Sequence, residues 1–462
     1  MADAAGAPSR LPPLDARLRR SVVALLVSAF CSFMAMGALT IVLGKQVYDL
    51  TGSEFDLGLL GLAEFAPSLL LVFVSGPIAD RYDRRRVAAI ALGIEALFCG
   101  ALAVYAASDP TSTLPIFLLV IGYGTARAFA RPASRSLPAD TVPPARLPWL
   151  VARQSIAGQA AMIAGPVIAG FLYTTSVTLP LVFVMALMLV GAVSVTFVRT
   201  DERDAELRVR ADADAAARAE LGERNQTDEA PSKSATVHDA LEGFRFVRGH
   251  QILLGVISLD LFAVLFGGAV ALLPAIAEER LGVGAVGLGW LRAAVGIGAA
   301  LVTLVLTVRP VTRHVGRRML YSVGVFGVGT VLLGVTTNYA IAWLSLALLS
   351  GADAVSVFIR STLVPLVTPA DKRGRVLAIE MVFIGASNEL GAFESGVVGQ
   401  LLGPAVAVVA GGIATIVIAA LWASLFPNLR DTDRYPSTAD GSHPGREEIE
   451  DDGLAGQGIT GT

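Results

Sequence analysis

The chain has 462 residues, 54% of them hydrophobic and only 16% charged, with a formal net charge of −3. Soluble domains carry about a quarter charged residues, and a chain this apolar folded in water would expose large apolar patches. The composition excludes an ordinary soluble domain and places most of the chain in lipid. Two cysteines in apolar runs, Cys31 and Cys99, and four scattered histidines give no case for a disulfide framework or a metal site.

The first twenty residues lack the apolar core and small-residue cleavage site of a signal peptide, so the first span is expected to direct insertion itself. A span needs about 20 mostly apolar residues. Spans are predicted near 21–44, 57–78, 87–107, 114–136, 148–172 and 178–198, then near 251–274, 284–307, 319–337, 340–364, 375–402 and 405–425. The expected fold is all-α and integral to the membrane, with twelve transmembrane helices in two pseudo-symmetric six-helix bundles. The predicted organisation is a cytoplasmic N-terminal segment (1–20), a first bundle (21–198), a linker (199–250), a second bundle (251–425) and a disordered tail (426–462).

Basic residues mark the cytoplasmic ends of spans. Arg17, Arg19, Arg20, Arg81, Arg84, Arg85, Arg86, Arg131, Arg135, Arg146, Arg309, Arg313, Arg317, Arg318, Lys372, Arg373 and Arg375 fall on one side, with little beyond Lys45 and Arg280 on the other. Both termini are then cytoplasmic, which requires an even number of spans. The linker opens as a charged, alanine-rich stretch with no packed core. It ends in Val237, Ala240, Leu241, Phe244 and Val247 at helical spacing, an amphipathic helix expected at the membrane interface.

The two halves echo each other. Gly76, Asp80, Arg81, Arg84 and Arg85 follow span 2, and Arg313, His314, Gly316, Arg317 and Arg318 follow span 8, without the acid. A shift of 226 residues sets Pro143 on Pro369, Gly165 on Gly391 and Gly170 on Gly396. Six-plus-six repeats with a central site are how many secondary transporters are built.

On these residues the chain resembles the major facilitator superfamily. That family's loop after span 2 reads Gly-x-x-x-Asp-Arg-x-Gly-Arg-Arg, and this chain departs from it only at Asp83. The resemblance implies that Gly76, Asp80, Arg81, Arg84 and Arg85 latch the cytoplasmic gate. Asp80 could accept charge-assisted hydrogen bonds from arginines and from a helix N-terminus, for which Thr368-Pro369-Ala370-Asp371 is the candidate, with Pro369 at the first helical position.

Span 5 partly matches the glycine-proline motif of drug:proton antiporters. Gly165, Pro166 and Gly170 are kept, and Ala152, Ala161 and Ala169 replace glycines. Small residues still allow close helix packing and Pro166 bends the helix. The stretches LLGVISLDLFAVLFGGAVALLPAIAEERLGVGAVGLGWL and RGRVLAIEMVFIGASNELGAFESGVVGQLLG resemble the branch that contains enterobactin exporters and twelve-span drug:proton antiporters. This resemblance covers about residues 20–425. It implies export of a siderophore or amphipathic drug in exchange for protons, with an importer or uniporter of the same fold, or a transport-inactive sensor, as alternatives.

Charge inside the membrane costs about 2.5–3.5 kcal/mol at a helix centre, so such residues usually face the interior and carry function. The candidates are Glu64, Glu95, Arg127, Asp260, Arg292, Asp353, Glu389 and Glu394. Arg360 and Glu380, nearer the predicted span ends, are read as able to snorkel. In the resembled family spans 1, 4, 7 and 10 line the cavity, which favours Arg127, Asp260 and Asp353. Asp260 and Asp353 are candidate proton-coupling acids, with Arg127 or Arg292 as partners. On an ideal span 11, Glu389 falls opposite Glu380. No phosphate-binding glycine loop is present. The chain is therefore read as no enzyme, without cofactor or metal, a monomer whose partners are a small molecule, protons and the bilayer, not nucleic acid.

Overall fold

The computed structural model describes residues 15–199, 237–369 and 372–436, except for the side chains of residues 72, 73, 79, 80 and 237–242. Eleven helices among them are long and apolar enough to cross a membrane. The twelfth span, span 2, is broken into Glu54–Leu70 and Val72–Arg81. Pro67 removes a backbone donor and crowds the preceding turn, and the helix parts at Leu71.

The helices outrun the predicted apolar windows because capping, not hydropathy, ends them. Span 1 runs Ala16–Thr51: the Asp15 carboxylate accepts from the Leu18 N–H at 2.6 Å, and Gly52, at φ 58°, closes the C-terminus in the left-handed region. At 36 residues and about 1.5 Å per residue it reaches ~54 Å, well beyond a bilayer core of about 30 Å. Spans 3 to 6 are Arg84–Ala106, Leu114–Thr141, Leu147–Tyr173 and Thr178–Thr196.

Span 7 begins at Gln251, breaks after Phe266 at Gly267-Gly268, and ends in a π-helical turn over Ile276–Arg280. Spans 8 to 12 are Ala285–Val308, Val315–Val335, Tyr339–Val367, Arg373–Leu402 and Pro404–Leu425. Span 11 opens at Arg373, so Pro369 lies in the loop before it and not at a first helical position; Ala370 and Asp371 are outside the described residues.

Packing repeats between the halves. Spans 1 and 5, 1 and 6, 2 and 4, 3 and 4, and 3 and 6 pack together, and so do their counterparts 7 and 11, 7 and 12, 8 and 10, 9 and 10, and 9 and 12. Across the halves, 5 packs on 8 and 2 on 11, two seams exchanged by the same repeat. Outward-facing Ile90, Leu97, Val104, Val193, Leu304, Tyr321 and Val417 remain exposed, the surface that lipid would cover.

The amphipathic helix forms over Val237–Gly249 and packs on spans 7 and 11, with Val247 buried and Phe244 stacked on Phe383. The linker at 200–236 lies outside the described residues. The expectation of disorder from residue 426 does not hold for the first part of the tail. Pro427–Arg430 is helical, Leu429 is fully buried, and the carbonyls of Thr432 and Asp433 accept from the N–H groups of Gly316 and Val315 at the start of span 9.

Candidate functional site

The two seams close at the end of the molecule that carries Lys45. A Cβ on Gly170 of span 5 would stand 2.5 Å from the Ala285 carbonyl oxygen, and one on Gly289 of span 8 would stand 2.5 Å from that of Pro166. The span 5 residues singled out in the sequence thus sit at a contact between halves: only glycine lets the backbones meet this closely. Gly165 does the same against Met34 of span 1, inside the first half.

A polar network covers this end. Lys45 pairs with Asp49 and with Glu278, the latter at 2.8 Å across the halves. The Tyr48 hydroxyl donates to Glu279, the Tyr173 hydroxyl donates to Asp49 at 2.8 Å, and the Ser53 hydroxyl donates to Gln400 at 2.9 Å. The sequence marks Lys45 for topology alone; its cross-half partner Glu278, on the π-helical turn of span 7, left no sequence signal.

At the opposite end the polar contacts described among these residues lie within one half. Arg84 donates to both oxygens of Asp140 on span 4, at 3.0 and 2.9 Å. Arg85 pairs with Asp83 at 2.9 Å and donates to the Val198 carbonyl, at the end of span 6, at 3.1 Å. Asp83 caps span 3 by accepting from the Arg85 N–H, which gives the family-departing residue a local role. These bonds hold the Asp83 carboxyl below the usual carboxylate range, the Arg85 hydrogen bond contributing most. Arg81 is exposed, and a side chain on Gly76 would meet open space. The Asp80 side chain is outside the described residues.

Between the ends lie two groups of intramembrane charges. In the second half Arg360 of span 10 bridges Asp260 of span 7 and, at 3.2 Å, Glu380 of span 11. All three are buried: Asp260 is 6% exposed, Arg360 5% and Glu380 7%. Arg360 and Glu380 therefore do not snorkel, since each sits about two turns inside its helix end and the span ends were set too short. Arg360, not Arg127 or Arg292, is the partner of Asp260. Asp353 lies across a small cavity from Asp260, lined also by Ala263, Phe326 and Ser356. Along span 10, Ser350, Ser356 and Arg360 are all buried.

The second group joins the halves. Arg127 of span 4 pairs with Glu64 of span 2, lies against the Met36 sulfur of span 1, and stands 6.0 Å from the Tyr123 ring centroid. Glu95 of span 3 is 3% exposed beside Tyr123 and Arg127. Glu389 reaches into this group from span 11, facing Glu64, Arg127, Arg131 and Arg292. Among the described residues neither Glu389 nor Arg292 has an ion-pair partner. Glu394 stands apart from both groups and likewise has none. No cluster of metal-ligating side chains occurs among the described residues.

Comparison with known proteins agrees with this architecture. The family model for the Major Facilitator Superfamily matches residues 25–308 and 272–451. The enterobactin exporter EntS of Escherichia coli (strain K12) is 26% identical over 428 residues, covering 89% of this chain and 93% of the relative. EntS of Shigella dysenteriae serotype 1 (strain Sd197) shows the same values. Among solved structures, a bacterial homolog of the human lysosomal transporter Spinster, inward-facing and unoccupied, aligns with a TM-score of 0.62 at 14% identity over 90% of this chain and 98% of that one. The nucleoside transporter NupG aligns at 0.64 and 15% identity over 88% and 98%, and a D-xylose-proton symporter at 0.61 and 15% over 88% and 99%. The chain is a multi-pass membrane transporter that belongs to the Major Facilitator Superfamily.

Proposed function

We propose that this chain exports a small amphipathic molecule, a siderophore or drug, across the cytoplasmic membrane by alternating access and in exchange for protons. The observation that carries the reading is the likeness to enterobactin exporters over nearly the whole of both chains. Supporting it are acids buried where only a working or paired charge is tolerated.

In this reading the arginine-rich end is cytoplasmic, both termini lie there, and the protein works as a monomer. The seams at the Lys45 end form the outer closure, so the conformation faces inward. Gly76, Asp80, Arg81, Arg84 and Arg85 then belong to a cytoplasmic latch that engages when the molecule turns outward. Substitution of Asp80 by Asn is expected to slow transport while leaving the membrane level of the protein unchanged; full-rate transport would remove the latch role.

Asp260 and Asp353 are the acids that share the span 7–span 10 cavity, and proton binding there would change the charge balance around Arg360. The test of direction is accumulation in inside-out membrane vesicles, with siderophores and amphipathic drugs as probes. A proton gradient acid inside the vesicle should drive substrate inward, and Asp260→Asn or Asp353→Asn should remove this dependence. Uptake that needs the opposite gradient would establish an importer instead.

A further inference from the structure

We propose that Glu389 is a proton-sensitive bolt of the outer seam: its neutral form lets span 11 close on span 2, and its ionised form holds the seam open. The inference rests on the exporter reading for its orientation, but its geometry stands on the two helices alone.

Span 2 meets span 11 along a line of small residues. A Cβ on Gly58 would stand 3.0 Å from the backbone of Phe393, one on Gly396 would stand 2.6 Å from the Glu54 carbonyl oxygen, and one on Gly385 would stand 3.1 Å from the Phe65 ring. Phe55 and Phe393 meet edge to face, with centroids 5.8 Å apart. Midway along this seam the Glu389 side chain crosses from span 11 toward span 2. Its Oε2 lies 2.9 Å from where a Cβ on Gly61 would be, so the carboxyl occupies the space that this glycine leaves.

The groups facing that carboxyl come from three helices: Glu64 of span 2, Arg127 and Arg131 of span 4, and Arg292 of span 8. Arg127 is committed to Glu64. Neither Arg131 nor Arg292 forms an ion pair with Glu389. The closed seam thus offers a carboxylate a like charge on the adjacent helix and no direct counter-ion. A carboxylate enters such a place at a cost that the neutral acid avoids. Opening the seam returns the group to water.

By linkage, a proton taken up when the seam is open favours closure, and closure carries that proton to the inward-facing state. This is the direction that proton-driven export needs. Glu389 belongs to the half that moves against span 2, so it couples protonation to the relative position of the halves. The Asp260–Arg360–Glu380 group lies inside one half, so its protonation acts on the cavity of that half and not directly on the seam.

The test reads the seam without any substrate. Ser53→Cys and Gln400→Cys place one thiol on each side of the seam; the native Cys31 and Cys99 are buried. The yield of cross-linking by a short bismaleimide at about pH 5.5 and at about pH 8, each divided by the yield of labelling of the same thiols by a monofunctional maleimide at that pH, reports closure while the carboxyl titrates. In the otherwise native protein the yield should be higher after acid incubation. Glu389→Gln should give the high yield at both pH values, and Gly61→Ala, which crowds the carboxyl out of its slot, should lower it at both. A yield independent of pH in the parent, or a pH dependence that survives in Glu389→Gln, overturns the proposal. Neither result bears on substrate identity or direction, which the vesicle experiment decides separately.

Discussion

Arg360 is the residue whose loss should cost most. It compensates two buried carboxylates on two other helices, and removing one partner of a buried ionic group typically costs about 3–5 kcal/mol. Arg360→Ala should therefore lower the midpoint of thermal unfolding in detergent sharply, whereas Asp353→Asn, at a group without an ion pair, should leave it nearly unchanged. Equal midpoints for both would mean that the triad is not structural. Asp83 offers a pH test on the other half. Its folded-state pKa is depressed by Arg85, so its contribution is present above the ordinary carboxylate range, about pH 4, and is lost as the pH falls through the lower, folded value. The gap in unfolding midpoint between wild type and Asp83→Asn should narrow in that acid window; exposure of about a third of the side chain keeps the effect small. Individual charges such as Asp260 and Glu389 were legible in the sequence because an acid in an apolar run is conspicuous. Their partners were not: pairing Asp260 with Arg360, or setting Glu389 against Gly61, depends on which helices become neighbours, which periodicity within one span does not encode.

At the scale of elements, glycine placement decides how closely spans approach. Gly170 and Gly289 lie where span 5 and span 8 backbones touch, and a branched side chain at either would wedge the seam apart. Gly170→Val is expected to raise the reactivity of Ser53→Cys toward a membrane-impermeant thiol reagent; unchanged reactivity would mean that this seam does not close the outer end. The span 5 motif was visible as a run of small residues, and the structure shows why some of its replacements are tolerated. Ala161 and Ala169 are fully buried without needing the backbone contact that Gly165 and Gly170 make. Breaks were harder to foresee. Span 2 was expected to run unbroken over 57–78, and the π-helical turn that presents Glu278 and Glu279 carries no mark in the sequence.

For the whole molecule, the six-plus-six plan followed from hydropathy and from motif copies after spans 2 and 8, and the packing repeats it pair by pair. The two halves nevertheless differ at their arginine-rich ends. The first uses Asp83 and Asp140 from its own loop and span 4 to hold the motif arginines. The second lacks the acid, and the tail supplies one: the Asp433 carboxylate accepts from the His314 N–H at 3.1 Å, in a turn where His314 adopts φ 54°. Truncation after residue 436 should therefore leave a monodisperse protein in detergent, while truncation after Leu425, which removes buried Leu429 and this cap, should not. The tail's polar composition hid this, because one buried leucine in ten residues does not register as structure.

The central claim is exchange of an amphipathic substrate for protons, and substrate-induced proton flux in proteoliposomes tests it most directly. With a pH-sensitive dye inside and a panel of siderophores and amphipathic drugs outside, at least one compound should drive proton movement opposite to its own, and Asp260→Asn or Asp353→Asn should abolish it. A compound that crosses at full rate with no proton movement would contradict the account and leave an uncoupled carrier of the same fold.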